Sequence, residues 1–150
     1  MNITCLRFFT VYGPYGRPDM APYIFTQKIS NGEPIQVFNH GKQRRDFTFI
    51  TDIVDGCVRV LGHENGYQIF NLGNDAPIEL TDFIATIERA VGKEARKEFC
   101  DAQPGDVTET HANIDRARTV LGFNPQVSIE CGIKEFVSWY KEFTASEQNM

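Results

Sequence analysis

Three features of the 150-residue chain predict a mixed α/β fold. Runs rich in β-branched and aromatic residues recur at residues 3–11, 47–50 and 67–72. Between them lie apolar residues at helical spacing, as in Phe83, Ile84, Ile87 and Val91. Glycine, proline and asparagine separate the two kinds of segment.

Residues 3–11 lack clear alternation, which predicts a strand buried on both faces, as in a parallel sheet between helices. Gly13, Pro14, Gly16 and Pro18 make residues 12–22 a loop, with Arg17 held between turn formers. A short helix over 23–30 has Ile24, Lys28 and Ile29 spaced for one apolar and one wet side, and Asn31-Gly32 stops it. Residues 35–38 form a short strand, Asn39-His40-Gly41 a turn, and residues 45–50 a strand. In that strand Phe47 and Phe49 share a face with Arg45, while Arg44 and Asp46 face the other way. Thr51-Asp52 offers N-cap chemistry for a helix with Ile53, Val54, Cys57, Val58 and Leu61 along one stripe. After the strand at 67–72, closed by Gly73-Asn74, Thr81 caps a helix that ends at Gly92. A strand around 96–100, a loop at Gln103-Pro104-Gly105-Asp106 and helices over 114–121 and 129–143 complete the set. The last helix carries Ile133, Phe136, Val137 and Tyr140 on one face, which demands a substantial packing partner.

Length fits one domain over residues 1–150. A strand starting at residue 3 with two buried faces nevertheless needs parallel neighbours and covering helices that this chain hardly supplies, so a portion of a larger fold is expected. Hydrophobic residues make up 41% and charged residues 23%, as in an ordinary globular domain. The net charge of −5 gives no global basic field for nucleic acid or anionic membrane, so an anionic ligand must be held by local arginines. Cys5, Cys57, Cys100 and Cys131 lie far apart without metal-site spacing, in segments that read as core or element edge. Reduced structural thiols in a cytoplasmic protein are expected. With so few residues ahead of the first strand no signal peptide is expected, and no apolar run reaches membrane-spanning length.

Three constellations can carry chemistry. In residues 10–19, the Thr10 hydroxyl and the Arg17 guanidinium can clamp a carboxylate or phosphate; the competing reading is a solvated surface turn. Residues 41–46 hold Lys42, Arg44 and Arg45, a basic cluster suited to a diphosphate or to a solvated hairpin. In Gln103-Pro104-Gly105-Asp106, Asp106 can accept from ribose hydroxyls and Gln103 can donate to a phosphate oxygen; otherwise it is a turn. Gly13 and Gly16 mimic half of a dinucleotide-binding fingerprint, but Pro14 breaks it. No tyrosine is followed four residues later by lysine, and His40, His63 and His111 are scattered. The chain reads as a binder without a catalytic engine.

The runs Leu6-Arg7-Phe8-Phe9-Thr10-Val11-Tyr12-Gly13-Pro14-Tyr15-Gly16-Arg17-Pro18-Asp19-Met20, Arg45-Asp46-Phe47-Thr48-Phe49-Ile50, Phe70-Asn71-Leu72-Gly73-Asn74 and Gln103-Pro104-Gly105-Asp106-Val107, in that order, resemble the C-terminal half of nucleotide-sugar epimerases. These belong to the extended short-chain dehydrogenase/reductase family, and the likeness is greatest to its UDP-glucuronate 4-epimerase branch. The resemblance implies the substrate-binding portion of a Rossmann-type α/β fold, lacking the N-terminal half that binds NAD and holds a Tyr-x-x-x-Lys pair. It implies an NAD-dependent isomerase acting by transient oxidation at C4, rotation of the 4-keto sugar and hydride return.

By the same resemblance, Phe9 lies near the nicotinamide, Thr10 and Arg17 hold the sugar carboxylate, and Phe38 lines the uracil pocket. Gln43 and Arg45 contact nucleotide and diphosphate, and Asp106 takes the ribose hydroxyls. Gln103 departs from the arginine that many neutral-sugar epimerases carry there. The partners implied are a UDP-sugar and a possible separately encoded N-terminal half, with oligomeric state left open. The chain alone is expected to be inactive. Two alternatives stand beside this reading: the same part of another NAD-dependent epimerase, dehydratase or decarboxylase, and a non-catalytic nucleotide-sugar-binding module.

Overall fold

The computed structural model describes residues 1–63 and 66–147. Five helices and eight short strands alternate along it: β1 (Ile3–Phe8), β2 (Thr10–Tyr12), α1 (Ala21–Asn31), β3 (Pro34–Val37), β4 (Arg44–Arg45), β5 (Phe47–Phe49), α2 (Ile50–Val60), β6 (Tyr67–Leu72), β7 (Ile78–Glu79), α3 (Leu80–Val91), β8 (Arg96–Phe99), α4 (Asp115–Leu121) and α5 (Ile129–Glu147). The pairs β1–β6, β2–β5 and β3–β8 are parallel, and β4–β7 is antiparallel. Parallel pairing needs a crossover, and helices supply it, as the α/β expectation requires.

Two apolar cores result. One gathers Phe25 and Ile29 of α1, Ile35 and Val37 of β3, Phe83 of α3 and Phe136 of α5. This is the partner that the apolar face of α5 demanded. Phe47 and Phe83 stack at 4.1 Å between ring centres within it, and burying a ring of this size contributes about 1.5–3 kcal/mol. The other core joins Ile53 of α2 to Phe70 and Leu72 of β6 and to Ile114, Leu121 and Phe123 around α4.

Several expectations need correction. The strand read as residues 3–11 breaks at Phe9: the Phe9 amide donates to Leu72 O and the Thr10 amide to Asp46 O, so the chain leaves β6 and joins β5. β1 is not buried on both faces; its residues are half-buried or exposed. Helix α1 begins at Ala21, not residue 23, with Pro22 in its first turn, where the missing N–H costs nothing. Neither Thr51-Asp52 nor Thr81 caps a helix, because α2 and α3 start one residue earlier, at Ile50 and Leu80. Asp52 instead accepts from the Gln126 and Val127 amides at 3.1 and 3.0 Å, anchoring the approach to α5. On α2 only Ile53 of the expected stripe is buried; Val54, Val58 and Leu61 are 51%, 59% and 79% exposed. All four cysteines are free; Cys5, Cys57 and Cys100 are half-buried, and Cys131 is exposed at the start of α5.

Helix α3 is tied to β8 by Glu88, whose carboxylate accepts from Lys97 Nζ at 2.5 Å and the Ala95 amide at 2.7 Å. Burial pushes the Glu88 carboxyl up, but the Lys97 ammonium and the Ala95 amide outweigh it and hold it below the usual glutamate range. A depressed folded-state value means that this stability is present at neutral pH and is lost as pH falls from the ordinary glutamate range through the folded value. Urea unfolding at pH 7 and pH 3.5 is expected to show a smaller acid-induced loss in Glu88→Gln than in the native chain.

Candidate active site

The site is built where α1, β3, β4 and the loop after β8 converge. Helical spacing places Ala21, Ile24, Phe25 and Lys28 on one face of α1, and all four line a cavity of about 590 Å³. Ile35, Phe38, Phe47 and Leu80 complete an apolar floor, and Gln43, Arg45, Gln103 and Asp106 supply polar heads. The volume and the mixture suit a nucleotide-sized ligand.

Phe38 enters this cavity because the chain turns sharply at Phe38–Gly41, with Asn39, His40 and Gly41 at φ of 48°, 51° and 79°. Gly41 is needed there both for its left-handed conformation and because a Cβ would collide with Thr81. On the opposite wall, Arg45 Nη2 donates to Asp106 Oδ1 at 2.7 Å, and Gln43 Nε2 donates to Asp106 Oδ2. The segment behind Asp106 is laced to β4: the Arg44 amide donates to Thr108 O at 2.9 Å and the Thr110 amide to Arg44 O at 3.1 Å. As alternation along residues 44–47 required, Arg45 and Phe47 face the cavity, while Arg44 reaches outward to Glu109 and the Pro77 carbonyl.

Thus Phe38, Gln43, Arg45, Gln103 and Asp106, spread over more than sixty positions, line one cavity. Thr10 lies one strand away, beside Phe47 in the β2–β5 register. Arg17 is outside the lining. Its guanidinium grips Asp19 in a paired contact, with Nε to Oδ1 at 3.0 Å. The two side chains are 75% and 61% exposed. This contact pulls the Asp19 carboxyl below the usual carboxylate range and the Arg17 guanidinium upward. Asp19 itself stands on the cavity rim. Phe9 is half-buried against the second core and beside Gly73.

Sequence reasoning gave Asp46 no role, yet it holds the site together. Fully buried, it accepts the Asn74 amide on Oδ1 at 2.8 Å and the Asp75 and Ala112 amides on Oδ2 at 3.0 and 2.9 Å. Gly73 fits this knot because a Cβ would collide with Ala112. Alternation set Asp46 on the face opposite Phe47, which it shares with the exposed Arg44, so its burial comes from the distant segments that close over it. Lys28, Gln36 and Asp19 were also passed over; for Lys28 the helical spacing from Ala21 and Ile24 was the available signal. A second hollow of about 500 Å³, between α1, the end of α3 and α5, contains none of the candidate site residues, and there Lys93 Nζ donates to the Ser30 carbonyl. Among the described residues no cluster of His, Cys, Asp or Glu is placed to hold a metal ion, and no helix is long and apolar enough to cross a membrane.

The α/β architecture and this site define a portion of a Rossmann-type epimerase fold. A solved structure of UDP-glucuronic acid 4-epimerase from Bacillus cereus, in complex with UDP-glucuronic acid and NAD, superimposes with a TM-score of 0.89 at 34% identity over 95% of this chain and 46% of that one. MoeE5 in complex with UDP-glucose and NAD gives 0.90 at 28% identity, over 95% of this chain and 48% of its own. UDP-glucuronate 4-epimerase 4 of Arabidopsis thaliana is 41% identical over 99% of this chain and 38% of its own length. Residues 1–73 match the NAD dependent epimerase/dehydratase family. The chain spans less than half the length of these relatives.

Replacing Asp46 with alanine removes the acceptor of three backbone amides, one buried and two half-buried, and an unsatisfied buried amide costs about 1–3 kcal/mol. Asp46→Ala is therefore expected to lose about 2 kcal/mol or more of stability in urea unfolding, whereas Arg44→Ala, at an exposed ion pair, loses less than about 1 kcal/mol.

Proposed function

We propose that this chain is the substrate-recognising half of an NAD-dependent UDP-glucuronate 4-epimerase, which interconverts UDP-glucuronate and UDP-galacturonate together with a dinucleotide-binding half. The observation that carries the reading is the convergence of Phe38, Gln43, Arg45, Gln103 and Asp106 on one cavity of nucleotide size. In this reading residues 1–150 act as one substrate-binding unit with a sheet-edge strand. Phe38 takes the uracil ring, Gln43 and Arg45 the diphosphate, Gln103 a phosphate oxygen and Asp106 the ribose hydroxyls. Arg45 delivers a planar fork already oriented by Asp106, so little side-chain freedom remains to be lost on binding.

Uncovered apolar surface supports the need for a second half. Ile3, Phe8, Val54, Val58, Leu61 and Tyr67 are exposed, and among the described residues β1 has β6 as its one strand partner. Large apolar residues left exposed in this number on β1, β6 and α2 are what a covering layer would bury, and an α/β sheet needs such a layer on each face. The partner is an upstream segment or a separately encoded chain that binds NAD.

Bound NAD would take a hydride from the sugar and return it. Phe9 offers an apolar face and no hydrogen-bonding side chain, so this chain would hold only an edge of the nicotinamide. Its own work is orientation. Thr10 and Arg17 would grip the sugar carboxylate through rotation, for which Arg17 exchanges Asp19 for the ligand. Both groups are largely exposed, so water competes for their pair and the exchange is inexpensive.

The same Arg17–Asp19 pair favours a second reading, in which Arg17 holds its own chain's carboxylate and the sugar is neutral or the reaction that of a related dehydratase or decarboxylase. The likeness to MoeE5 bound to UDP-glucose is consistent with it. Titration calorimetry of Arg17→Ala separates the two. The uronate reading expects UDP-glucuronate affinity to fall about tenfold or more, as for a lost charge-assisted contact, with UDP-glucose affinity unchanged. Equal affinities before and after substitution support the neutral-sugar reading instead.

A further inference from the structure

We infer that Lys28 reads the nucleotide base, donating to the carbonyl oxygen at the 4-position of a uracil-type ring with the Gln36 carboxamide beside it. This rests on the nucleotide-sugar reading and adds the residue that selects the base.

The argument begins with charge pairing. Four charged side chains line the cavity: Asp19, Lys28, Arg45 and Asp106. Arg45 is bonded to Asp106, and Asp19 is bonded to Arg17. Lys28 alone of the four forms no ion pair or side-chain hydrogen bond among the described residues. It is half-buried, over a floor that includes Ile24, Phe25 and Ile35. A cation leaving water over apolar surface is stabilised by an acceptor, and the ligand is the available source of one. The Gln36 side chain, also on the lining, likewise has no partner among the described residues.

Position selects the base over the phosphates. Lys28 lies in the last turn of α1, seven residues and about 10 Å along the axis from Ala21. The start of the helix adjoins Asp19 and the Arg17 loop, proposed to face the sugar. From its far end the chain returns through Gly32 into β3, which carries Gln36 and leads directly to Phe38, proposed to stack on the base. The diphosphate contacts, Gln43 and Arg45, come from the separate wall built by β4 and Asp106. At the Phe38 end a uracil-type edge presents a carbonyl acceptor and a ring N–H donor. Lys28 supplies donors only, and Gln36 supplies one of each kind. Cytosine carries an amino group at the 4-position, which turns N–H donors toward the ammonium and removes the acceptor at that position.

Calorimetric titration of the full chain with UDP, CDP and uridine tests this, using the native protein, Lys28→Met, which keeps the aliphatic stem, and Lys28→Arg, which keeps the charge. The native chain is expected to prefer UDP over CDP by about tenfold, the worth of one charge-assisted hydrogen bond. Lys28→Met is expected to weaken UDP and uridine by the same factor and bring the UDP to CDP ratio near one, while Lys28→Arg keeps most of the preference. A ratio unchanged in Lys28→Met would show that Lys28 only complements the C-terminal end of α1, and overturns the inference. So does a loss for UDP without a loss for uridine, which would make Lys28 a phosphate contact. Both results leave the nucleotide-sugar reading standing; a native chain that binds none of the three ligands overturns that reading and this inference together.

Discussion

A single buried carboxylate fixes the geometry on which the cavity depends. Asp46 accepts three backbone amides from two distant segments, the turn after β6 and the stretch before α4, and its own carbonyl accepts the Thr10 amide at the start of β2. Its neighbours in sequence, Arg45 and Phe47, project the other way into the cavity. The anchoring of Asp46 therefore sets both the height of the arginine fork and the tilt of the Phe47 wall. Burying a carboxylate without a cation is costly, and the three N–H donors offset that cost only while the segments stay in register. Asp75, held at a φ of 58°, shows that the turn is shaped to meet the carboxylate rather than to suit its own residues.

Recognition in an acidic chain follows from the same economy of placement. With a net charge of −5 there is no long-range field to gather an anion, so affinity must come from a few cations in the right places. Arg45 is oriented in advance by Asp106 and lies in the cavity. Arg17, outside the cavity lining, is paired with the exposed Asp19 on its rim. The apolar floor beneath them lowers the competition from water. Residues of β1 and the outer stripe of α2 lie exposed among the described residues, which is the physical reason for proposing that a second unit supplies the redox half of the chemistry.

Much of the fold was legible because local patterns were strong. Apolar spacing in α3 and α5, the Asn-Gly stop of α1 and the aromatic alternation around Phe47 all correspond to structure. What was not legible depended on partners distant in sequence. Nothing between residues 3 and 11 reveals that the chain changes strand partner at Phe9, because that switch is imposed by Leu72 and Asp46. Asp52 resembles a helix cap, yet a loop more than seventy residues later uses its carboxylate. At the site, Gln103-Pro104-Gly105-Asp106 was a turn by its own composition. Only its resemblance to the epimerases linked it to Gln43 and Arg45, and in the fold Asp106 lies against both. Lys28 and Gln36 escaped notice because a lysine at a helix end and a glutamine on a strand are ordinary surface residues until a cavity is seen to contain them.

The central claim is that this cavity, and no other surface of the chain, receives a nucleotide sugar. Mapping backbone and side-chain amide shifts of the isotopically labelled chain during titration with UDP-glucuronate tests it most directly. The largest changes should fall on Phe38, Gln43, Arg45, Gln103 and Asp106. Changes confined to the hollow around Ser30, Lys93, Lys141 and Thr144, with those five residues unmoved, would contradict it.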